Sequence, residues 1–180
     1  MESEPIPMWS DRQRKRLGIE KNLLEDYFPA RTNWTNSTNA TKTKVDIALN
    51  TNDKTEYILR IHLTQDFPNA CPMLTVVSPM LKSRKGDRFP ESSTEFHTLQ
   101  NIEGYPTVCH FHPESWTQEN TLYQVFMKGR LWLEAYSLYH STGKIMDTFL
   151  KEFDSAPEPE VVPAEKKRSK SRLRSILRRR

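Results

Sequence analysis

No run of about 18 consecutive apolar residues occurs in this 180-residue chain, so it carries no segment of the type that spans a membrane as a helix. Cysteine is scarce as well. The two present, Cys71 and Cys109, make neither a disulfide framework nor a paired-ligand zinc pattern, and this usage fits a reducing compartment. The opening Met1-Glu2-Ser3-Glu4-Pro5 is acidic and polar where a signal peptide would be basic and then apolar. Together these absences lead us to expect a soluble protein, cytoplasmic and/or nuclear. In that setting the three sequons at Asn33, Asn36 and Asn39 read as a polar loop rather than as glycosylation sites. Acidic residues are lacking after Glu165, where nine of the 27 basic residues fall, so residues 1–165 hold 18 basic against 23 acidic side chains, a net of −5. The basic pI therefore belongs to the C-terminal segment and not to the body of the chain.

What is present suffices for one core of ordinary size, with 36% hydrophobic residues. Ser10 with Gln13 forms a capping-box pattern, and Leu17, Leu24, Tyr27 and Phe28 recur at helical spacing ahead of Pro29. These predict a first helix from Asp11 to Phe28. Val45, Ile47 and Leu49 alternate with polar residues, as do Tyr57, Leu59, Ile61 and Leu63 beyond an Asn52-Asp53 turn, which predicts an antiparallel hairpin with one buried face. Leu74-Thr75-Val76-Val77 makes a third strand, followed by a long exposed loop over residues 82–95. From Thr121 a second helix is predicted, burying Leu122, Val125, Phe126, Leu133 and Tyr136 and stopping at Gly143, with a short last helix holding Ile145, Met146, Phe149 and Leu150. The order is helix, strand meander, irregular cysteine-bearing segment, helices, an α+β layout. The expected organisation is a flexible N-terminus over residues 1–10, one domain over 11–153, and a disordered basic tail over 154–180 whose Pro, Glu, Lys, Ser and Arg content cannot offset ordering entropy.

The chemistry-bearing stretch is Thr107-Val108-Cys109-His110-Phe111-His112-Pro113-Glu114-Ser115-Trp116-Thr117, preceded by Asp66-Phe67-Pro68-Asn69-Ala70-Cys71-Pro72. In this order, over roughly residues 11–150, the chain resembles the ubiquitin-conjugating (UBC-like) family. That family has a Tyr-Pro-x-x-Pro-Pro segment, a His-Pro-Asn motif, a catalytic cysteine and a tryptophan about eight residues after it. Here Phe67-Pro68-Asn69-Ala70-Cys71-Pro72 stands at the first position, Cys109 at the catalytic one, and Trp116 follows it by seven. The run Lys128-Gly129-Arg130-Leu131-Trp132-Leu133-Glu134-Ala135-Tyr136 looks like a divergent branch of the family found in bacterial and some invertebrate sequences. The His-Pro-Asn tripeptide is absent, and two alignments supply its counterpart: His97 keeps the histidine, or Asn101, eight residues before Cys109, keeps the asparagine. The loop between Pro68 and His97 is also about fifteen residues longer than in compact members.

The resemblance implies a carrier that accepts a ubiquitin-like modifier as a thioester on Cys109, delivered by an activating enzyme, and passes it to an amine or thiol, with or without a ligase. A thioester carrier needs an exposed, ionisable cysteine and not a protease-like base. Its tetrahedral intermediate carries an oxyanion, for which a side-chain amide donor is worth roughly 3 kcal/mol. Asn101 and His97 are the candidate donors, and His110 is a candidate for lowering the thiol pKa. Each has a plainer reading: Cys109 as a buried structural cysteine, Asn101 as a turn residue, His97 as a hydrogen-bonded structural histidine. Cys71 reads as packing and Trp116 as a core anchor over the loop. Cys109, His110 and His112 are of metal-ligating type, but alternation along one strand would send them to opposite faces, and neither metal nor cofactor is implied. The rival reading is an inactive family variant serving as a scaffold for a modifier or a ligase, which the missing tripeptide favours.

The basic end offers Lys167-Arg168-Ser169-Lys170 and an arginine cluster for nucleic acid or import factors, and Leu173, Ile176 and Leu177 at helical spacing for an anionic membrane. Phosphorylation of Ser169, Ser171 or Ser175 would weaken each of these contacts. If the tail is the nucleic-acid contact, a chain ended at Phe153 loses the salt-sensitive affinity for duplex DNA that the full chain shows. Affinity that survives truncation would remove the tail as its source.

Overall fold

A computed structural model describes residues 7–154; the expected basic tail lies almost wholly outside them. Helix α1 spans Asp11–Tyr27, one residue shorter than predicted, because Phe28 leaves helical geometry as its C-cap. The Ser10–Gln13 capping box forms, and Gln13 Nε2 also donates to Gln65 O (2.6 Å) and Phe67 O (2.8 Å), which fastens the helix start to the segment leading to Cys71. Residues 7–10 depart from the expected flexible N-terminus. Trp9 is 2% exposed and its Nε1 donates to Thr43 Oγ1 at 3.1 Å.

Six antiparallel strands follow where three were read from the sequence: β1 (Thr32–Thr35), β2 (Lys44–Asn50), β3 (Glu56–His62), β4 (Met73–Ser78), β5 (Thr98–Ile102) and β6 (Tyr105–Val108), in spatial order β1-β2-β3-β4-β6-β5. Strands β2 and β3 alternate buried and half-buried residues, as their patterns require. The additional strands lie at the two ends of the sheet. Strand β1 arises inside the stretch expected to be a polar loop; it is an edge strand with Trp34 its single large apolar residue. Strands β5 and β6 replace the expected irregular segment. Their connection is Glu103-Gly104, both left-handed (φ 53° and 83°), the geometry that a two-residue hairpin turn needs to match strand twist.

Helix α2 (Leu122–Thr142) lies across the buried face of the sheet, with a Thr121–Gln124 capping box and Gly143 at φ 80° donating its N–H to Tyr139 O. Leu122, Val125, Phe126 and Leu133 are buried as predicted, whereas Tyr136 is half-buried. Its hydroxyl donates to Lys82 O (3.0 Å) and accepts from Lys82 N (3.1 Å). The 82–95 loop is accordingly not a free excursion: Phe89 is 2% exposed and meets Phe96, Trp132 and Tyr136 edge-on. Helix α3 (Met146–Asp154) buries Met146 and partly buries Phe149 and Leu150, while Ile145 is exposed outside it. No helix among the described residues is long and apolar enough to cross a membrane.

Glu20 joins α1 to the start of α2. Its fully buried carboxylate accepts from Leu122 N (2.9 Å) and Arg16 Nε (2.8 Å), and Arg16 also donates to Asn120 O (2.5 Å). A backbone donor left over at a helix N-terminus is thereby satisfied. Burial still raises the Glu20 carboxyl above its usual range, against the opposing Leu122 N–H and Arg16.

At Gly129 the backbone of α2 packs directly on the sheet. A methyl group there would lie 2.5 Å from Leu74 Cδ2 and 2.9 Å from Leu59 Cδ1, two fully buried side chains. Helix propensity alone favours alanine over glycine by about 1 kcal/mol. Overpacking a closed core costs about 1–3 kcal/mol. Gly129→Ala is therefore expected to lose about 1 kcal/mol net in urea unfolding, and a variant as stable as the parent would mean that the two leucines have room to turn aside.

Candidate active site

Pairing of β4 with β6 sets the site. Leu74 lies opposite Val108, so the chain entering β4 and the chain leaving β6 run side by side, bringing Cys71 next to His110. Cys109 is the first residue beyond β6, exposed, with its backbone N–H donating to His97 O at 2.9 Å. The plainer reading of Cys109 as a buried structural residue does not hold.

His97 occupies a left-handed backbone position (φ 49°), and both C-terminal helices fix the turn around it. Trp132 Nε1 of α2 donates to Phe96 O (2.9 Å), and Asp147 N of α3 donates to Glu95 O (3.0 Å). The imidazole Nε2 pairs with Asp147 Oδ1 at 2.8 Å, while Lys151 reaches the other carboxylate oxygen at 2.6 Å. The hydrogen bond from Lys151, then that from His97, holds the Asp147 carboxyl below its ordinary range. Cys109 and His97 share an open cleft of about 380 Å³, walled by Lys128, Leu131 and Trp132 of α2 and Leu150 of α3.

The floor of this cleft disfavours charge. Burial pushes the His110 imidazole down to about 4, with the nearby Lys128 adding to the effect against a stabilising Val108 carbonyl. The neutral ring places Nδ1 3.2 Å from Val108 O and Nε2 3.7 Å from Cys71 Sγ. His110 thus faces Cys71 and, being neutral, supplies no cation to lower the Cys109 thiol. Although Cys109 reaches solvent, partial desolvation against the cleft wall raises its thiol above the ordinary value, and burial pushes Cys71 up to about 11, helped by Cys109 beside it. Cys71 is half-buried against the core, in keeping with a packing role.

Asn101 is not brought to the cysteine. It sits at the turn end of the β5–β6 hairpin, four residues beyond His97 along β5, or roughly 13 Å at ordinary strand rise. Its N–H donates to Glu91 Oε2 (3.1 Å) and its side-chain oxygen is buried without a partner. The hairpin tip is held away from the cleft by Glu103, which pairs with Lys44 (2.5 Å) and lies 3.7 Å from Arg60. Cys109, His110 and His112 lie beyond the end of β6 and not on one strand, and among the described residues no group of three metal-ligating side chains is placed to hold an ion.

Trp116 anchors the segment as expected: it is 8% exposed, donates Nε1–H to Pro68 O (2.9 Å), and packs edge-on against Phe111. The residues that sequence reasoning missed are Asp147 and Lys128. Asp147 is fifty residues from its histidine and its one local signal is an acidic side chain in a helix first turn. Lys128, inside the Lys-Gly-Arg-Leu-Trp run, lies over the Phe111 ring at 4.7 Å.

No family model, curated protein or solved structure matches this chain.

The depressed His110 has a consequence for stability. Between about pH 6.5 and its folded value of about 4, the unfolded chain takes up a proton that the folded one refuses, so stability present above pH 6.5 falls by about 3 kcal/mol as pH drops through that window. His110→Gln is expected to flatten this part of the pH profile of urea unfolding; an unchanged slope would assign the acid sensitivity to other groups.

Proposed function

We propose that the chain is a ubiquitin-conjugating-like carrier in which Cys109 accepts the C-terminus of a ubiquitin-like modifier as a thioester from an activating enzyme and passes it to an amine or thiol. The observation that carries this reading is the exposed Cys109 thiol at the end of β6, opening into a cleft between the sheet edge and the C-terminal helices. An α+β domain with an N-terminal helix, an antiparallel sheet and C-terminal helices agrees with the UBC-like order quoted from the sequence. A thioester donor arrives already activated, so a cysteine without a base bonded to its sulfur is adequate. A raised thiol pKa makes exchange slow at neutral pH and faster above it, because the thiolate is the nucleophile.

The second reading, a non-catalytic scaffold binding a modifier or ligase, is favoured by the lack of a side-chain amide among the described residues that line the cleft, since Asn101 lies at the far end of its hairpin. Under that reading the cleft remains a docking site for the modifier, and the sulfur takes no part.

The two readings separate in one assay with ATP, an activating enzyme and a panel of ubiquitin-like proteins, resolved with and without reductant. A reductant-sensitive adduct is expected in the parent and in Cys71→Ala and not in Cys109→Ala, with loading that quickens as pH rises above neutral. Absence of adduct across the panel from a folded protein would remove the carrier reading and favour the scaffold.

A further inference from the structure

We propose that His97, oriented by Asp147, is the general base that takes the proton from the amine attacking a thioester on Cys109. The inference rests on the carrier reading, which puts an acyl group on Cys109. Three features of the fold carry it. His97 directly faces Cys109 across the end of the β5–β6 ladder, through the hydrogen bond from Cys109 N to His97 O. Both side chains line one open cleft, where an acceptor can enter. The imidazole is oriented by a carboxylate 2.8 Å from Nε2, and the turn that carries it is fixed by Trp132 from α2 and by the backbone N–H of Asp147 from α3. A histidine whose far nitrogen donates to a carboxylate keeps its other nitrogen free to accept a proton, the arrangement that makes an imidazole a base of defined tautomer.

The chemistry balances without any further reactant. The amine nitrogen bonds to the thioester carbonyl carbon, and its N–H proton passes to His97 Nδ1, giving an imidazolium beside the Asp147 carboxylate. Collapse of the tetrahedral intermediate breaks the C–S bond and yields the amide and the Cys109 thiolate. The thiolate then takes the proton back from His97, and the resting state returns. The imidazolium so formed then acts as an acid close to the sulfur, which helps because a thiol with a raised pKa is a reluctant leaving group as the thiolate.

Among the described residues, Asp147 of α3 pairs with the His97 ring and Lys151 with that carboxylate, while Lys128 of α2 and Cys109, His110 and His112 of the segment after β6 line the same cleft. Asp147 is the one bonded to the ring.

The test does not require the modifier to be known. In the Cys71→Ala background of the full chain, Cys109 is acylated by exchange with an excess of a Gly-Gly peptide thioester. Discharge to hydroxylamine is then followed by mass spectrometry across acidic to mildly alkaline pH, each rate being divided by the concentration of unprotonated amine because hydroxylamine itself titrates within that range. The expected result is a rate that rises with pH through one ionisation, a loss of roughly 10²-fold and of that rise in His97→Gln, and a smaller loss that keeps the rise in Asp147→Asn. Thermal melts of the acyl-free variants monitor folding. A His97→Gln protein that melts like the parent and discharges with the parental rate and pH profile would overturn the proposal, as would lowered stability with an unaltered profile, which is the mark of a purely structural histidine. Failure of Cys109 to take up the peptide acyl group also overturns it. Peptide loading with the expected profile, but no adduct with any modifier, keeps His97 as the base for amine attack on acyl-Cys109 and removes ubiquitin-like modifiers as the source of the acyl group.

Discussion

The approach of α2 to β3 and β4 at Gly129 is the constraint on which the rest of the molecule depends. At that point the helix backbone rests directly on Leu59 and Leu74, with no side chain between. The helix depth set there decides where its neighbouring residues project. One residue back, Lys128 reaches over Phe111; three residues on, Trp132 reaches the carbonyl of Phe96 and Phe89 packs against its ring. A helix held farther from the sheet by even a methyl group would draw Trp132 away from the turn that carries His97. The packing of the core and the geometry of the cleft are therefore one problem.

Ionisable groups divide sharply by location. Desolvation drives Cys109 and His110 in the cleft, and Cys71 behind His110, toward their neutral forms, and neighbouring charge contributes less than desolvation in each case. At the wall, Asp147 is stabilised as an anion between Lys151 and His97. A site of this kind is poorly suited to generating a nucleophile from a resting thiol, which is what a protease does. On the proposed carrier reading, the same balance serves a thiol that exchanges with an acyl group already activated elsewhere, with a separate polar group handling protons.

Legibility from sequence followed the strength of local signals. Capping boxes at Ser10–Gln13 and Thr121–Gln124, the stop at Gly143, and the two-residue alternation in β2 and β3 are encoded by near neighbours, and each element formed where its residues pointed. Strands β1, β5 and β6 lack such a pattern. Thr32–Thr35 forms as an edge strand because β2 offers it a partner, and the β5–β6 turn is Glu-Gly in place of the more telling Asn-Gly or Asp-Gly. The cysteine was legible from its flanks, and Trp116 from its spacing. The two alignments for the missing motif could not be separated in sequence because they differ by four positions on one strand, a distance that the hairpin alone converts into a place in the cleft or a place at the tip. The partnership of His97 with Asp147 was out of reach for a similar reason: it depends on how α3 docks.

The added strands also determine how the sheet meets other chains. An open sheet has two unsatisfied borders, and an extended border is a template for another strand. Here one border is the four residues of β1 and the other the five of β5, whose register slips between Leu99 and Ile102. Such short, interrupted ladders give an incoming strand few consecutive hydrogen bonds. The long, strongly pairing strands β2 and β3 are kept inside. The same hairpin that frames the cleft thus shields the domain from edge-to-edge association.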